Sequence, residues 1–450
     1  MKHTTRNATA AVLSAVVAAA LAACGAPGTA KVEAGSGVQN LAAPAEKSGT
    51  ITMVTKFADP KYAPYFQSVV KAYEQANPKV TINLEQVGDQ PYKDKIRVLS
   101  ASKQLPDIYF SWAGDFANKF VRAGLAADLT SVIGPDTAWG KTFSPAALKA
   151  FATNGKNYGV PIDLDAKYLA YNKNAFTKAG INAAPTTLEE LLGDCDKLKS
   201  AGYIPIAFGN QYGWPAIHYM TQLNAYNVAP ATLAKDYNPA TGAFTDPGYV
   251  KALDQFGSII SRCSSKDANG VSHEAGQATF INGQAAMHYL ESVEFSVLTA
   301  KGGAPKAVAD NWSFMRLPAP QGAGGDPGAL TGAPDGFMVN AQSKNAALAV
   351  DVLKFMTSQQ NASKLTTDIG WLSPVMGSAT SANAFPQLEA ALADISKASQ
   401  FAIWLDTVTN AEVANAYLSG VEGIIDGSKT SQDVMTAVQQ AAAKAKQQAG

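Results

Sequence analysis

The sequence predicts an α/β protein of two lobes, each lobe a mixed sheet flanked by helices, joined by three crossings. Three observations predict it. The chain offers about four hundred residues of ordinary globular composition, 47% hydrophobic and 16% charged, which is more than one hydrophobic core usually serves. Strand and helix patterns alternate before the stretch Tyr158–Lys173 and alternate again after it. That stretch begins at the turn-forming Gly159, runs extended through Pro161 and sets Asp163 and Asp165 among apolar neighbours, as a segment crossing between lobes would. An ordinary strand–helix junction with solvated aspartates is the alternative reading of those few residues.

In chain order, Lys2, His3 and Arg6 precede a short apolar run, Ala8–Ala20, and Leu21-Ala22-Ala23 stands before Cys24. The run is too short for a stable membrane anchor, and residues 1–23 read as a cleaved export signal. The Leu-Ala-Ala-Cys ending resembles the bacterial lipobox, which implies lipidation of Cys24 and attachment to the outer face of the cell membrane. Residues 24–48 are rich in Gly, Ala and Pro with little to bury, and read as a flexible tether. Lysine plus arginine equals aspartate plus glutamate at 36 each, so no basic field exists to hold nucleic acid. Beyond Cys24 only Cys195 and Cys263 remain. Each falls at a helical pattern, and in an oxidising compartment a disulfide between neighbouring helices of one lobe is expected, two buried thiols being the alternative.

Thr50–Lys56 alternates with β-branched residues and predicts a strand; Tyr62–Asn77, closed by Pro78, predicts an amphipathic helix. Val80–Val87, a helix over 92–103 and the buried run Pro106–Phe110 complete a strand–helix series, hence a parallel sheet. Ligands bind beyond the carboxyl ends of such strands, where Asp59, Trp112 and Asp115 fall. Past the first crossing come a helix over 186–201 opened by Thr186-Thr187-Leu188-Glu189-Glu190, a strand at Ile204–Phe208, and a loop bearing Tyr212 and Trp214. A helix end and short strand over 279–289 precede Glu291 and Glu294. A Gly-rich second crossing follows over 322–336, with Asp335 beside the strand Gly336–Val339, then a helix over 345–357 and a third crossing over 369–374 with Trp371. The lobes are therefore expected at 49–162 with 331–368, and at 163–330 with 369–450.

Taken together, Pro106-Asp107-Ile108 with Trp112 and Asp115, Gly159-Val160-Pro161 with Tyr171-Asn172-Lys173, Gly283-Gln284-Ala285-Ala286-Met287, and Gly336-Phe337 before Ser343-Lys344-Asn345 resemble the extracellular solute-binding proteins of family 1. These are the sugar-capturing components of ATP-driven ABC importers, similar to maltose-binding protein. The resemblance spans nearly all of the mature chain. It implies a type II periplasmic-binding-protein-like fold that closes on its ligand as a hinged clamp, a membrane permease as partner, and no catalysis. It also implies sugar contacts by Trp112 and Asp115, in a Trp-Ala-X-Asp loop, and by Asp165, six residues before Tyr-Asn-Lys. The chain departs from the family after Met287, where Gly-X-Trp is common and Glu291-Ser292-Val293 stands, so Glu291 is expected to make a polar contact in place of an aromatic one.

The chemistry points the same way. A sugar ring stacks its C–H face on an aromatic plane and offers hydroxyls to carboxylates. Trp112, Trp214 and Trp371 lie in loops beside predicted strand ends, as do Asp59, Asp115, Asp163, Asp165, Glu291 and Asp335. Trp139, Trp312 and Trp404 are assigned to packing. His218, His273 and His288 have no metal-ligand spacing, and no cofactor motif appears; five residues separate Gly134 and Gly140 where a phosphate-binding loop needs four. The expected protein is a lipid-anchored, monomeric binder of a sugar or oligosaccharide. A binder of a polyamine, peptide or metal complex on the same fold is the alternative, and a secreted glycoside hydrolase a more distant one.

Overall fold

The structure, a computed structural model, describes residues 41–449; the expected signal segment, Cys24 and most of the expected tether lie outside them. The end of that tether is packed rather than loose. Leu41 is buried in the first lobe's core, and Lys47 pairs with Asp351 at 2.6 Å, so the folded part begins earlier than Ser48. Among the described residues no helix is long and apolar enough to cross a membrane.

In chain order the sheet strands are β1 (Gly49–Thr55), β2 (Val80–Gln86), β3 (Ile108–Trp112), β4 (Gly159–Pro161), β5 (Asp165–Asn172), β6 (Ile204–Ala207), β7 (Ala285–Glu291), β8 (Trp312–Met315), β9 (Leu330–Ala333), β10 (Asp335–Val339) and β11 (Phe401–Ala402). The first lobe's sheet runs β2-β1-β3-β10-β4, with β1 parallel to β2 and β3 and β10 antiparallel to β3 and β4. The second runs β11-β9-β5-β7-β6, with β8 also on β5. Parallel neighbours need crossover helices, and Ala63–Ala76 and Asp89–Ala101 supply them. The first buries Phe66, Val69, Val70 and Tyr73 at three- and four-residue spacing, each contributing about 1.5–3 kcal/mol of apolar burial. All five residues of β3 are buried, as in a strand covered on both faces.

In the second lobe, the helix Leu188–Ser200 opens with a reciprocal capping box between Thr187 and Glu190. That start fixes the helix phase so that Cys195 faces inward, where a disulfide joins it to Cys263 at the end of the helix Pro247–Cys263, with Cα atoms 5.2 Å apart. The helices Ala411–Asp426 and Ser431–Ala449 pack on the same core through Val413, Tyr417, Val421, Val434 and Val438.

The first crossing lies between β4 and β5, at Ile162–Leu164. In the second, expected over 322–336 with the first lobe resuming at 331, Gly332 and Ala333 pair with Ala166 and Asp165 of β5, so the chain changes lobe at Pro334. The third is expected over 369–374. Gly370, at φ 74°, ends the helix Gln359–Ile369 in a left-handed turn and sends Trp371 back onto the first lobe's core, while Leu372 bridges to Leu164 of the first crossing.

Candidate functional site

A cavity of about 330 Å³ lies where the two sheets end against each other. From the first lobe it is lined by Lys56, just past the carboxyl end of β1, Trp112 at the end of β3, Asp335 at the start of antiparallel β10, and Asp89 and Lys93 at the start of a helix. The second lobe contributes Asp165, Tyr212, Trp214, His218, Glu274 and Glu291, and the returning segment adds Trp404 and Asp406. Parallel strands deliver their carboxyl ends, and antiparallel ones their amino ends, to this one edge.

Charges interlock across the floor. The Lys56 ammonium stands 3.0 Å from Asp335 Oδ2, 3.5 Å from Asp89 Oδ1 and 4.8 Å over the Trp112 ring. Burial alone would lower its pKa, but Asp335, Asp89 and Glu291 outweigh burial and hold it well above its ordinary value. Asp335 is pushed up to about 6 by burial, Lys56 opposing and Glu291 adding to the rise. Across the cleft, Glu291 Oε1 lies 3.6 Å from the fully buried Lys167 Nζ and 3.3 Å from His218 Nδ1. Lys167 in turn sits 4.8 Å over Trp214. Burial, then Lys167, hold His218 well below its usual range, so a neutral imidazole stacks on Trp404 at 4.2 Å. Behind it His273 Nε2 meets Glu294 Oε1 at 2.6 Å; burial would raise Glu294, but the His273 and Lys167 charges hold it well below the usual carboxylate range.

The structure brings together Trp112, Asp165, Tyr212, Trp214, Glu291 and Asp335 of the residues expected from sequence, and four others it places elsewhere. Asp59 accepts from the Lys61 N–H at 2.8 Å in a turn at the head of a helix, off the cavity lining. Asp115 is held by Arg122 through two bonds of 2.5 and 3.0 Å, because both lie on the short helix Asp115–Arg122, two turns apart. Asp163 is buried and accepts from the Asp335 N–H at 2.9 Å, tying the first crossing to the second. Trp371 packs edge-on against Phe57 at 5.2 Å and donates its indole N–H to the Val293 carbonyl at 3.0 Å. Asp165 has a double part: it touches the cavity, yet its Oδ1 accepts from Ser292 Oγ and the Val293 N–H at 2.9 and 3.3 Å. Burial, then Glu291, push its carboxyl well above the usual range.

Sequence reasoning missed Lys56, Asp89, Lys93, His218, Glu274, Trp404 and Asp406. Lys56 was findable, being the last residue of the first predicted strand and so at a carboxyl end. His218 is isolated in sequence and becomes a lining residue only because the helix Trp214–Asn227 is turned toward the cleft. Trp404 is 4% exposed and packs with the first core, as the sequence suggested, but its remaining edge faces the cavity.

The sequence pattern of the family described as bacterial extracellular solute-binding protein matches residues 59–363. A Brucella abortus binding protein is 29% identical over 344 residues, 75% of this chain and 79% of the relative. A solved chitin oligosaccharide binding protein superposes with a TM-score of 0.81 at 23% identity, over 90% of this chain and 100% of its own. A structure from work on xylan utilization by Caldanaerobius polysaccharolyticus gives 0.79 at 23% identity, over 87% and 99%. At those identities the superpositions speak for the fold, a two-lobed α/β architecture. With more than half of its residues matched, this chain belongs to the bacterial extracellular solute-binding protein family.

Proposed function

We propose that the cavity captures a sugar or oligosaccharide and that the loaded protein delivers it to the permease of an ABC importer, without altering it. The observation that carries this is the lining: the rings of Trp112, Trp214, Trp404 and Tyr212 share one cavity with six carboxylates drawn from both lobes. Aromatic faces take the C–H side of a sugar ring, and carboxylates accept from its hydroxyls in fixed directions. Trp112 and Trp214 stand on different lobes, so a ring held by both is bound more tightly when the lobes are together. The chitin-oligosaccharide and xylan-related likenesses support the same ligand class.

Export with a lipid on Cys24 is part of this proposal; its support is the basic, apolar and Leu-Ala-Ala-Cys sequence before that residue. Two readouts test the whole. In a thermal-shift screen of mono- and oligosaccharides, with polyamines and short peptides as controls, one group of sugars should raise the melting temperature by mass action and be recovered chemically intact. Cys24→Ser should release the protein from the membrane fraction. A shift by the controls alone would remove the sugar assignment, and cleaved sugar would make the protein a hydrolase.

A further inference from the structure

The cavity is acidic beyond what its lysines balance. Asp89, Asp165, Glu274, Glu291, Asp335 and Asp406 line it against Lys56 and Lys93, with Lys167 behind Glu291. Lys56 is engaged by Asp335 and Asp89 and Lys93 by Asp89 at 3.7 Å, while Lys167, 3.6 Å from Glu291, has no hydrogen-bond partner among the described residues. A second observation is independent of the charge count. Asp335 is only 7% exposed, yet its Oδ1 has no hydrogen-bond partner among the described residues, and Asp406 Oδ1 is likewise unpartnered.

A buried carboxylate oxygen without a donor is costly, and the residue carrying it faces the cavity a ligand would fill. Burial pushes Asp163, Asp165, Asp335 and Asp406 up, and the charge of Glu291 adds to each. A hydroxyl would satisfy one oxygen and leave that mutual repulsion in place; an ammonium would satisfy the oxygen and relieve the repulsion as well. The aromatic walls tolerate cations, since Lys56 and Lys167 already lie over Trp112 and Trp214 at 4.8 Å each. Resting on the sugar reading above, we infer that the preferred ligand is an amino sugar with a free ammonium group, which meets Asp335 and the neighbouring carboxylates while its ring lies against the tryptophans.

The test is calorimetric titration of the full mature chain with matched sets: glucosamine, N-acetylglucosamine and glucose, the galactose counterparts, and short oligomers of each. The free amine should bind about tenfold or more tighter than its acetylated and hydroxyl partners. That preference should shrink as salt rises from about 0.05 to 0.5 M. Asp335→Asn should collapse the ratio of amine to neutral affinity toward one; where that variant does not fold, Asp406→Asn should reduce the same ratio. Neutral or acetylated sugars binding as tightly as the amines would overturn the inference and leave the sugar reading standing. Binding by none of these sugars would also overturn the inference, and binding by spermidine, titrated as a control, with no sugar bound would overturn both.

Discussion

Replacing Cys195 and Cys263 together by alanine should lower the stability of the second lobe by about 4 kcal/mol. The bridge closes a loop across 68 positions of sequence, so the unfolded chain loses much of its freedom when it forms. Both residues are fully buried, between the helices Leu188–Ser200 and Pro247–Cys263, and the native packing already holds their Cα atoms 5.2 Å apart. The loss should appear as a lower urea midpoint for a probe in the second lobe, with the first lobe following less closely. Dithiothreitol should reproduce it on the wild type. A change below about 1 kcal/mol would mean that the two cysteines do not constrain the chain as a bond of this span must.

Asp335→Asn should stabilise the unliganded protein above pH 6, by up to about 3 kcal/mol, and by almost nothing near pH 4. The sign follows from where the carboxyl titrates. Held at about 6 in the folded state against 3.8 ordinarily, mainly by burial, Asp335 binds its proton more tightly when the protein is folded. Its ionisation therefore costs stability: the cost is absent below about pH 4, grows through the interval and is complete above about 6. Asparagine cannot ionise and escapes it. The ion pair with Lys56 at 3.0 Å is already part of that balance, since Lys56 holds the carboxyl lower than burial alone would, and in the variant Lys56 keeps Asp89 at 3.5 Å. Chemical denaturation of both proteins between pH 4 and 7.5 measures the difference. A variant that gains nothing, or loses stability, as pH rises would contradict the assignment. A cost of this kind is what a carboxylate kept for a ligand, rather than for the fold, brings with it.

Much of the architecture was legible because it rests on local patterns. The strand–helix–strand–helix–strand series from Gly49 to Trp112 follows from periodicity alone, and the helix expected over 186–201 opens two residues later, at Leu188, behind the capping box at Thr187. Lobe changes were less legible. The four residues of β9 include Gly332, too short and small a run to announce a strand, and only pairing with β5 assigns them to the second lobe. The site was half legible for a related reason. From sequence Trp371 and Asp115 are expected in loops near strand ends; nothing there says that Gly370 turns the indole inward, or that Asp115 opens a short helix on which Arg122, seven residues on, claims its carboxylate. Conversely, Lys56 and His218 lie in the cleft through partners far along the chain, Asp335 and Trp404.

The most direct measurement of the central claim is a calorimetric titration of the best sugar from the screen into the wild type, Trp112→Ala and Trp214→Ala. These residues line one cavity from opposite lobes. Each substitution should weaken binding about tenfold or more, a loss of about 1.4 kcal/mol or greater, with the fold retained by circular dichroism. Sugar affinity unchanged in both variants would contradict capture in the cleft between the lobes.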